Sequence, residues 1–143
     1  MYSNVLRTWL NETLYNGFAD EIKNVMKTQD FLATNTISDK VKCPSLNELG
    51  CGDTSAYGSD YGGKHHDIEG TLYPIFGDAQ SNPNKLAIMK RYDSAAFTYW
   101  TRSRCTNGFS GVWMINTGGN CTVGDIAWSS SIYGCVAIIR FGK

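Results

Sequence analysis

Three runs rich in aromatic and β-branched residues, separated by turn-forming segments, dominate residues 99–141. The runs begin at Tyr99, Trp113 and Tyr133, and the segments between them are rich in Gly, Ser and Asn. Strands of this composition joined by short polar turns are typical of an antiparallel meander. This stretch therefore predicts a sheet in the C-terminal part of the chain, whose loops are the expected functional surface.

In the first half of the chain, apolar residues at helical spacing come first, and a pattern typical of a strand follows. Periodic apolar residues predict one helix over residues 3–16 and a second over 20–27. Alternation over residues 40–43 predicts a short strand, and Ser45 followed by Glu48 is the pattern of a capping box. Helices that precede an antiparallel sheet indicate an α+β fold. The apolar helix faces comprise Val5, Leu6, Trp9, Leu10 and Leu14 in the first helix, and Ile22, Val25 and Met26 in the second.

The length of 143 residues predicts a single domain over residues 1–143. Thirteen Lys and Arg balance thirteen Asp and Glu, so no bulk field attracts nucleic acid or an anionic membrane. No apolar run approaches the roughly 18 residues of a membrane span, so we expect no membrane insertion. The first residues lack the features of a signal peptide, which leaves three alternatives: no export by that route, an excerpt of a longer chain, or a virion component.

Five cysteines without C-x-x-C spacing make a zinc site improbable. We expect cysteines that are mostly buried thiols, because a small apolar side chain is common in protein cores. The alternative is a disulfide within the set of Cys105, Cys121 and Cys135, which a meander brings close together. The other two cysteines are Cys43 and Cys51.

Residues 50–70 contain six glycines and few side chains that can fill a core. A long loop of this kind within a compact domain is usually functional or disordered. Two cation sites are conceivable within it: His65 and His66 with nearby carboxylates, or a calcium site of Asp53, Asp60 and Asp67. Adjacent histidines on an extended loop point in opposite directions, so we expect a solvated polar loop and no cofactor, with calcium as the alternative.

Four short motifs of this chain resemble, in the same order, motifs of the DUF6273 domain family. The residues Tyr99–Ser103 (YWTRS) resemble the family's WWLRS, and residues 133–141 (YGCVAIIRF) resemble its closing YGVRPAL. The matching positions of the two earlier motifs are Ser3, Leu6, Arg7, Trp9, Leu10, Asn11, Phe18 and Ile22, and then Asp39, Lys40, Val41, Ser45 and Glu48.

This resemblance implies a C-type-lectin-like fold, related to the sulfatase-modifying (formylglycine-generating) enzymes and to the variable proteins of diversity-generating retroelements. Two N-terminal helices then pack on a twisted antiparallel sheet that carries the long Gly-rich loop. The chain departs from the family where Val136-Ala137 replaces Arg-Pro, and where no strand precedes the first helix to pair with the last strand. The missing strand indicates an excerpt, a degenerate copy or completion by a neighbouring chain. A last strand left unpaired is an edge liability, so we expect assembly to be favoured.

The resemblance also assigns Trp100 and Arg102 to the scaffold, with Arg102 buried and paired. For Trp113 and Trp128 two alternatives remain open, core packing or an aromatic contact with a sugar or partner. The loops 106–110, 117–120 and 129–132 have the composition of adaptable binding loops, although ordinary hairpin turns use the same residues. The predicted ligand-binding residues are Tyr57, Tyr61, Asn107, Trp113, Asn120, Trp128 and Ser130.

The domains that this chain resembles occur on bacterial surface proteins and phage virions, where they bind ligands. We therefore expect a non-catalytic recognition module, on a virion or at the cell surface, that binds a glycan or protein receptor. The first alternative is a structural virion subunit that mediates contacts between chains, including copies of itself. The second is an oxidase-like enzyme of the formylglycine-generating type, in which Cys105 is activated by Arg102 and Arg104.

Overall fold

The computed structural model describes residues 4–32, 36–51, 70–76, 88–105, 111–125 and 133–142. Helical segments come first and small, mostly antiparallel sheets follow, so this part of the chain is α+β, as the sequence predicts. The strands in chain order are β1 (Met26–Lys27), β2 (Gln29–Leu32), β3 (Thr36–Asp39), β4 (Val41–Lys42), β5 (Lys90–Tyr92), β6 (Ala95–Phe97), β7 (Tyr99–Arg104), β8 (Gly111–Ile115), β9 (Cys121–Asp125), β10 (Gly134–Cys135) and β11 (Ile138–Phe141).

The first helix, α1 (Asn4–Thr8), continues into a π-helical segment at Trp9–Leu14. The amide of Gly17 bonds to the carbonyls of Thr13 and Leu14, which ends the helix at the predicted place. Its buried face is narrower than predicted: Leu10 is fully buried, whereas 79% of Val5 and 46% of Trp9 are exposed. Among the described residues, no helix is long and apolar enough to cross a membrane.

The second helix, α2 (Asp20–Val25), ends earlier than predicted. Met26 has extended backbone angles and pairs with Phe141 in a sheet, so the chain leaves the helix to make this pairing. Met26 is 2% exposed, but Ile22 and Val25 are mostly on the surface. The predicted apolar face of this helix is therefore wrong at two of its three positions.

The last strand lies in the middle of a three-stranded sheet, in the order β1-β11-β4. Both pairings are antiparallel, with Met26 opposite Phe141 and Val41 opposite Ile139. The expectation of an unpaired last strand is therefore wrong. Residues 26–27 and 41–42 supply the two neighbours that the sequence pattern did not reveal.

The predicted antiparallel pairing of the first two runs is confirmed by β7 and β8, and β9, which lies between the second and third runs, extends this sheet as an antiparallel neighbour of β8. The third aromatic run does not continue it, because β10 pairs in parallel with β7 on the opposite edge. Trp100 is only partly buried, and its ring contacts that of Tyr133 edge-on at 5.1 Å between centroids. Tyr99 is the fully buried aromatic residue of β7, and its hydroxyl donates to the Ile88 carbonyl at 2.7 Å.

Two hairpins were not predicted. The strands β2 and β3 pair as antiparallel neighbours, and β5 pairs with β6 just before the meander. In the second hairpin, Asp93 and Ser94 both have positive φ, of 49° and 66°. Two positive φ angles in a two-residue loop are characteristic of a type I′ turn, which Asn-Gly usually forms.

The buried apolar residues of the described segments form two clusters. One lies beneath the first helix and the other beneath the meander. The helical cluster comprises Leu10, Met26, Val41 and Cys43. The meander cluster comprises Leu46, Leu49, Cys51, Ile88, Tyr99, Cys105, Trp113, Ile115 and Cys121.

Polar side chains fix the first helix on the strands. Arg7 and Asp39 form a two-point ion pair, with both N···O distances at 2.8 Å. Asn11 donates to the Val41 carbonyl at 2.8 Å, and its carbonyl oxygen accepts from the amides of Lys40 and Val41 at 3.1 Å. These contacts give the first DUF6273-like motif a structural role.

Candidate ligand-binding groove

The site begins with the capping box that Ser45 and Glu48 form. The Glu48 amide donates to Ser45 Oγ at 3.1 Å, and Glu48 Oε2 accepts from the Ser45 amide at 3.0 Å. This reciprocal pair confirms the predicted capping box and fixes the Glu48 backbone. It also points the Glu48 carboxylate inward, where the residue is 1% exposed.

Two cations hold this buried carboxylate. Arg102 Nη1 lies 2.6 Å from Glu48 Oε2 and Nη2 lies 2.9 Å from Oε1. Lys42 Nζ lies 2.6 Å from Oε1. Arg102 is therefore buried and paired, as predicted. A carboxylate with this many charged donors is fully satisfied, which a buried charge requires.

The same contacts determine the charge state of Glu48. Burial alone raises the pKa of Glu48, but the hydrogen bonds and charges of Arg102 and Lys42, with the Ser45 amide, outweigh it and hold the pKa below its ordinary value. Glu48 therefore carries a negative charge at physiological pH. A general acid needs a proton to give, so Glu48 does not suit that role.

Strand β7 carries the scaffold for this cluster. The Arg102 amide donates to the Pro44 carbonyl at 2.9 Å, and Ser103 Oγ accepts from the Leu46 amide at 2.9 Å. Both contacts bind β7 to the chain segment that forms the capping box. The YWTRS motif therefore holds the segment that contains Glu48 in place.

Gly70 packs directly against the Glu48 side chain. Its φ is +78°, and a Cβ built on it would lie 2.6 Å from Glu48 Cγ. Any larger residue would therefore collide with the side chain that the cluster holds. The Gly70 carbonyl accepts a hydrogen bond from Asn47 Nδ2 at 2.6 Å, which keeps the covering segment in place.

A groove of about 430 Å³ opens above this cluster. It lies where β2, β4, β11 and the segment 70–73 meet. Lys42 and Glu48 form its base, and β2, β11 and the segment 70–73 supply its sides. The lining residues are Gln29, Asp30, Lys42, Glu48, Gly70, Thr71, Tyr73, Ile138, Ile139, Arg140 and Phe141.

The sides of the groove offer hydrogen-bond donors and acceptors together. Arg140 and Asp30 are exposed, as is the ring of Phe141, which is 56% exposed. Gln29 Nε2 donates to the Ile138 carbonyl at 3.3 Å, which ties β2 across the last strand. Ser38 Oγ donates to Asp30 Oδ1, which fixes the carboxylate of Asp30.

Tyr73 places a neutral hydroxyl at the groove. Burial raises the pKa of Tyr73, and the negative charge of Glu48 raises it further, against the opposing positive charges of Arg102 and Arg140. The phenol therefore keeps its proton at physiological pH and both donates and accepts hydrogen bonds. Its backbone amide donates to the Glu48 carbonyl at 3.0 Å, so the groove wall and the ion cluster are joined directly.

The lining of the groove carries side chains that donate hydrogen bonds and side chains that accept them. The two cationic residues of the lining, Lys42 and Arg140, balance the two anionic residues, Glu48 and Asp30, in formal charge. Within the described segments, no three His, Cys, Asp or Glu side chains come close enough to hold a metal ion. The calcium and histidine candidates of the Gly-rich loop (Asp53, Asp60, Asp67, His65 and His66) lie outside the described residues.

Most of the predicted ligand-binding residues also lie outside the described part of the chain: Tyr57, Tyr61, Asn107, Trp128 and Ser130. Trp113 is fully buried in the meander cluster, so its side chain has no surface to offer a ligand. Its assignment as a ligand contact is corrected to core packing. Asn120 is exposed beside β9, and the structure does not bring it to the groove.

The turn that contains Asn120 is an ordinary hairpin connection. Asn116 Oδ1 accepts from the amides of Gly118 and Asn120 at 2.9 and 3.0 Å, and Gly119 has a φ of +73°. Internal hydrogen bonds of this kind are what a tight turn needs. For the loop 117–120, the structure thus favours the hairpin alternative over a dedicated binding loop.

The residues that line the groove were largely missed by sequence reasoning. Lys42 and Glu48 belong to the second family-like motif and Arg140 to the closing one, but Gln29, Asp30 and Tyr73 come from segments without one. The segment 72–76 holds apolar residues that do not enter the core, since Leu72 is 41% and Ile75 is 78% exposed. The pairing of β11 between β1 and β4 is what places Arg140 and Phe141 here, and no local pattern signals it.

The comparisons with known proteins give one match. The model of the family described as Domain of unknown function (DUF6273) matches residues 2–135. No curated protein and no solved structure matches the chain. The matched range includes most of the strands that form the groove, but ends before β11.

Proposed function

Because the chain belongs to the DUF6273 family of domains, whose description names no activity, we propose its function from its own groove: a non-catalytic recognition module that binds a glycan. The observation that carries the proposal is the groove of about 430 Å³ with balanced charges and mixed donors and acceptors. Ligand pockets commonly measure about 300–1,000 Å³, so a short oligosaccharide segment fits.

The side chains of the groove suit sugar hydroxyls. A hydroxyl both donates and accepts hydrogen bonds, so a cationic donor, an anionic acceptor and a neutral phenol can each pair with it. Arg140, Asp30 and Tyr73 are these three groups. A purely anionic ligand would have to approach Asp30, and a purely cationic one would have to approach Arg140.

Phe141 supplies the apolar part of the site. Its ring lines the groove and stays 56% exposed, so a ligand that covers it removes apolar surface from water. Aromatic rings contribute a large contact area with few rotatable bonds, which makes them frequent anchors at recognition surfaces. The C–H face of a sugar ring is the partner that we propose for it.

The setting that we propose is the surface of a phage virion or a bacterial cell, and the fold is proposed to be C-type-lectin-like. Both parts are supported by the motif resemblance to surface and virion domains. The structural-subunit alternative was favoured by the expectation of an unpaired last strand, and β11 has neighbours on both sides, so that support is gone. The enzyme alternative depended on Cys105, which is 6% exposed within the meander cluster.

A glycan array followed by calorimetric titration of the best ligand tests the proposal. We expect Arg140→Gln, Tyr73→Phe and Phe141→Ala each to weaken binding by about tenfold or more, since each removes one direct contact. The matched controls are Arg91→Gln and Tyr92→Phe. Both residues lie on the exposed hairpin β5–β6, outside the groove lining, and their changes should leave affinity unchanged.

Two results would overturn the proposal. One is an array on which the folded protein binds no glycan. The other is a glycan that binds with equal affinity to the groove variants and to the wild type. Attachment to cells that survives enzymatic removal of their surface glycans would point to a protein receptor instead.

A further inference from the structure

Two cysteine side chains that are far apart in sequence meet between the two main sheets. Cys43 follows β4, and Cys135 ends β10, yet their Sγ atoms lie 3.2 Å apart. Both are thiols in the structure. The sequence predicted mostly buried thiols, with a disulfide among Cys105, Cys121 and Cys135 as the alternative, and it did not indicate the contact of Cys135 with Cys43.

Strand β7 holds both cysteines in place. Cys135 lies opposite Trp100 in the parallel pairing of β10 with β7. Two residues further along, Arg102 Nη1 donates to the Cys43 carbonyl at 2.7 Å. Because one strand positions both backbones, the approach of the two sulfurs is built into the sheet.

The two thiols differ in access and reactivity. Cys43 is fully buried in the helical cluster, whereas Cys135 is partly exposed. The hydrogen bond with Cys43 lowers the pKa of Cys135, against the opposing effect of burial. A thiolate is the reactive form of cysteine, so Cys135 is suited to attack first and Cys43 to complete a bond.

We propose that Cys43 and Cys135 are an oxidative modification site that closes to a disulfide on exposure to a low-molecular-weight disulfide of the glutathione class. Sulfurs already at 3.2 Å need only a short approach to bond. The link would join the segment after β4 to β10, and so would tie the sheet of the groove to the sheet of the meander. This inference is independent of what the groove binds.

The exchange balances in two steps. First, the Cys135 thiolate attacks one sulfur of the small disulfide, whose S–S bond breaks, and one small thiolate leaves and takes up a proton. Second, Cys43 loses its proton and attacks Cys135 Sγ, which breaks the mixed disulfide and releases the second small thiol. One small disulfide is reduced to two thiols, and the two cysteines are oxidised to one disulfide.

The test uses the folded full chain treated with oxidised glutathione, then acid quenching, alkylation in denaturant, digestion and mass spectrometry. We expect a cross-linked peptide pair that contains Cys43 and Cys135, and the loss of both as alkylated peptides. We expect Cys43→Ala to stop at a glutathione adduct on Cys135, because the second attacking thiol is gone. The control Cys121→Ala, in the other cluster, should keep the cross-link.

The wild-type measurement decides the proposal even where a variant folds poorly. The same treatment in denaturant should scatter the cross-links among other cysteine pairs, because the sheet no longer selects the partner. Recovery of Cys43 and Cys135 as separate alkylated peptides from the folded protein would overturn the proposal. So would a Cys135 that links to a cysteine other than Cys43.

Discussion

Arg102 and Glu48 form a two-point ion pair in the interior, with N···O distances of 2.6 and 2.9 Å, across 54 residues of sequence. Two of the family-like motifs therefore meet at one contact, since Arg102 belongs to YWTRS and Glu48 to the capping-box segment. The first such motif docks on the same segment through Arg7 and Asn11. The motifs thus form one buried polar framework, and the groove lies against it.

Glu48→Gln should lower the free energy of unfolding by about 3–5 kcal/mol, because it leaves the buried charges of Arg102 and Lys42 without their anion. Urea unfolding at neutral pH measures the loss. The control Glu12→Gln changes an exposed helical glutamate and should shift stability by less than about 0.5 kcal/mol. Equal losses in the two variants would contradict the role given to the ion pair.

The stability of the protein should fall in acid in a way that depends on Glu48. Its pKa in the folded state lies below the ordinary value of 4.5, so its contribution is present above about that pH and is lost as the pH falls through the folded-state pKa. Urea unfolding between neutral pH and about pH 3 measures this slope. Asp20→Asn removes an exposed partner of Lys23 that solvent screens, and it should leave the slope unchanged. A slope unaltered in Glu48→Gln would refute the assignment.

Gly70→Ala should destabilise the protein by about 2 kcal/mol or more. The new methyl group would overlap the Glu48 side chain, and the φ of +78° strains any residue with a Cβ. Gly118→Ala is the control, because its Cβ would meet only the ends of two side chains, Asn120 Nδ2 at 3.1 Å and Asn116 Oδ1 at 3.4 Å. Thermal unfolding of the two variants separates the effects, and a harmless Gly70→Ala would disprove the close packing over Glu48.

Asn11→Ala should cost about 2–3 kcal/mol, at about 1 kcal/mol for each hydrogen bond that it makes to the backbone of residues 40–41. Chemical denaturation measures the loss. Asn24→Ala, at an exposed position of α2, should be neutral or slightly stabilising, because alanine favours helix. A small effect at Asn11 would mean that apolar packing alone docks the first helix.

Ser94→Gly should raise stability by about 0.5–1 kcal/mol. Ser94 has a φ of 66° in the turn between β5 and β6, a conformation that glycine adopts without strain. The neighbouring change Ala95→Gly relieves no positive φ and should lower stability by about 0.5–1 kcal/mol. Thermal unfolding compares them, and a destabilised Ser94→Gly would contradict the type I′ assignment.

The parts of the fold that the sequence predicted are those with local signals. The residue composition of β7 and β8 and the Ser45–Glu48 spacing are local signals, and both elements were found as predicted. The turn at Asp93-Ser94 lacks the Asn-Gly signal of its type, so its hairpin was missed. The parallel pairing of β10 and the central place of β11 depend on distant residues, and no local pattern encodes them.

The groove could not be predicted for the same reason. Its lining comes from residues 29–30, 42–48, 70–73 and 138–141, and these segments become neighbours only once the three-stranded sheet forms. Composition instead drew attention to polar, Gly-rich loops. In residues 117–120, these polar and glycine residues form the internal hydrogen bonds of a tight turn.

The position of β11 between β1 and β4 also sets the order in which the chain can fold during synthesis. Residues 26–27 and 41–42 leave the ribosome early, but the strand that joins them is made about a hundred residues later. Until then the helical cluster lacks its sheet partner, and the groove does not exist. A nascent chain that has not reached residue 138 therefore contains β1 and β4 but not β11, which pairs with both. Because these strand edges are still unpaired, such a chain needs protection from aggregation.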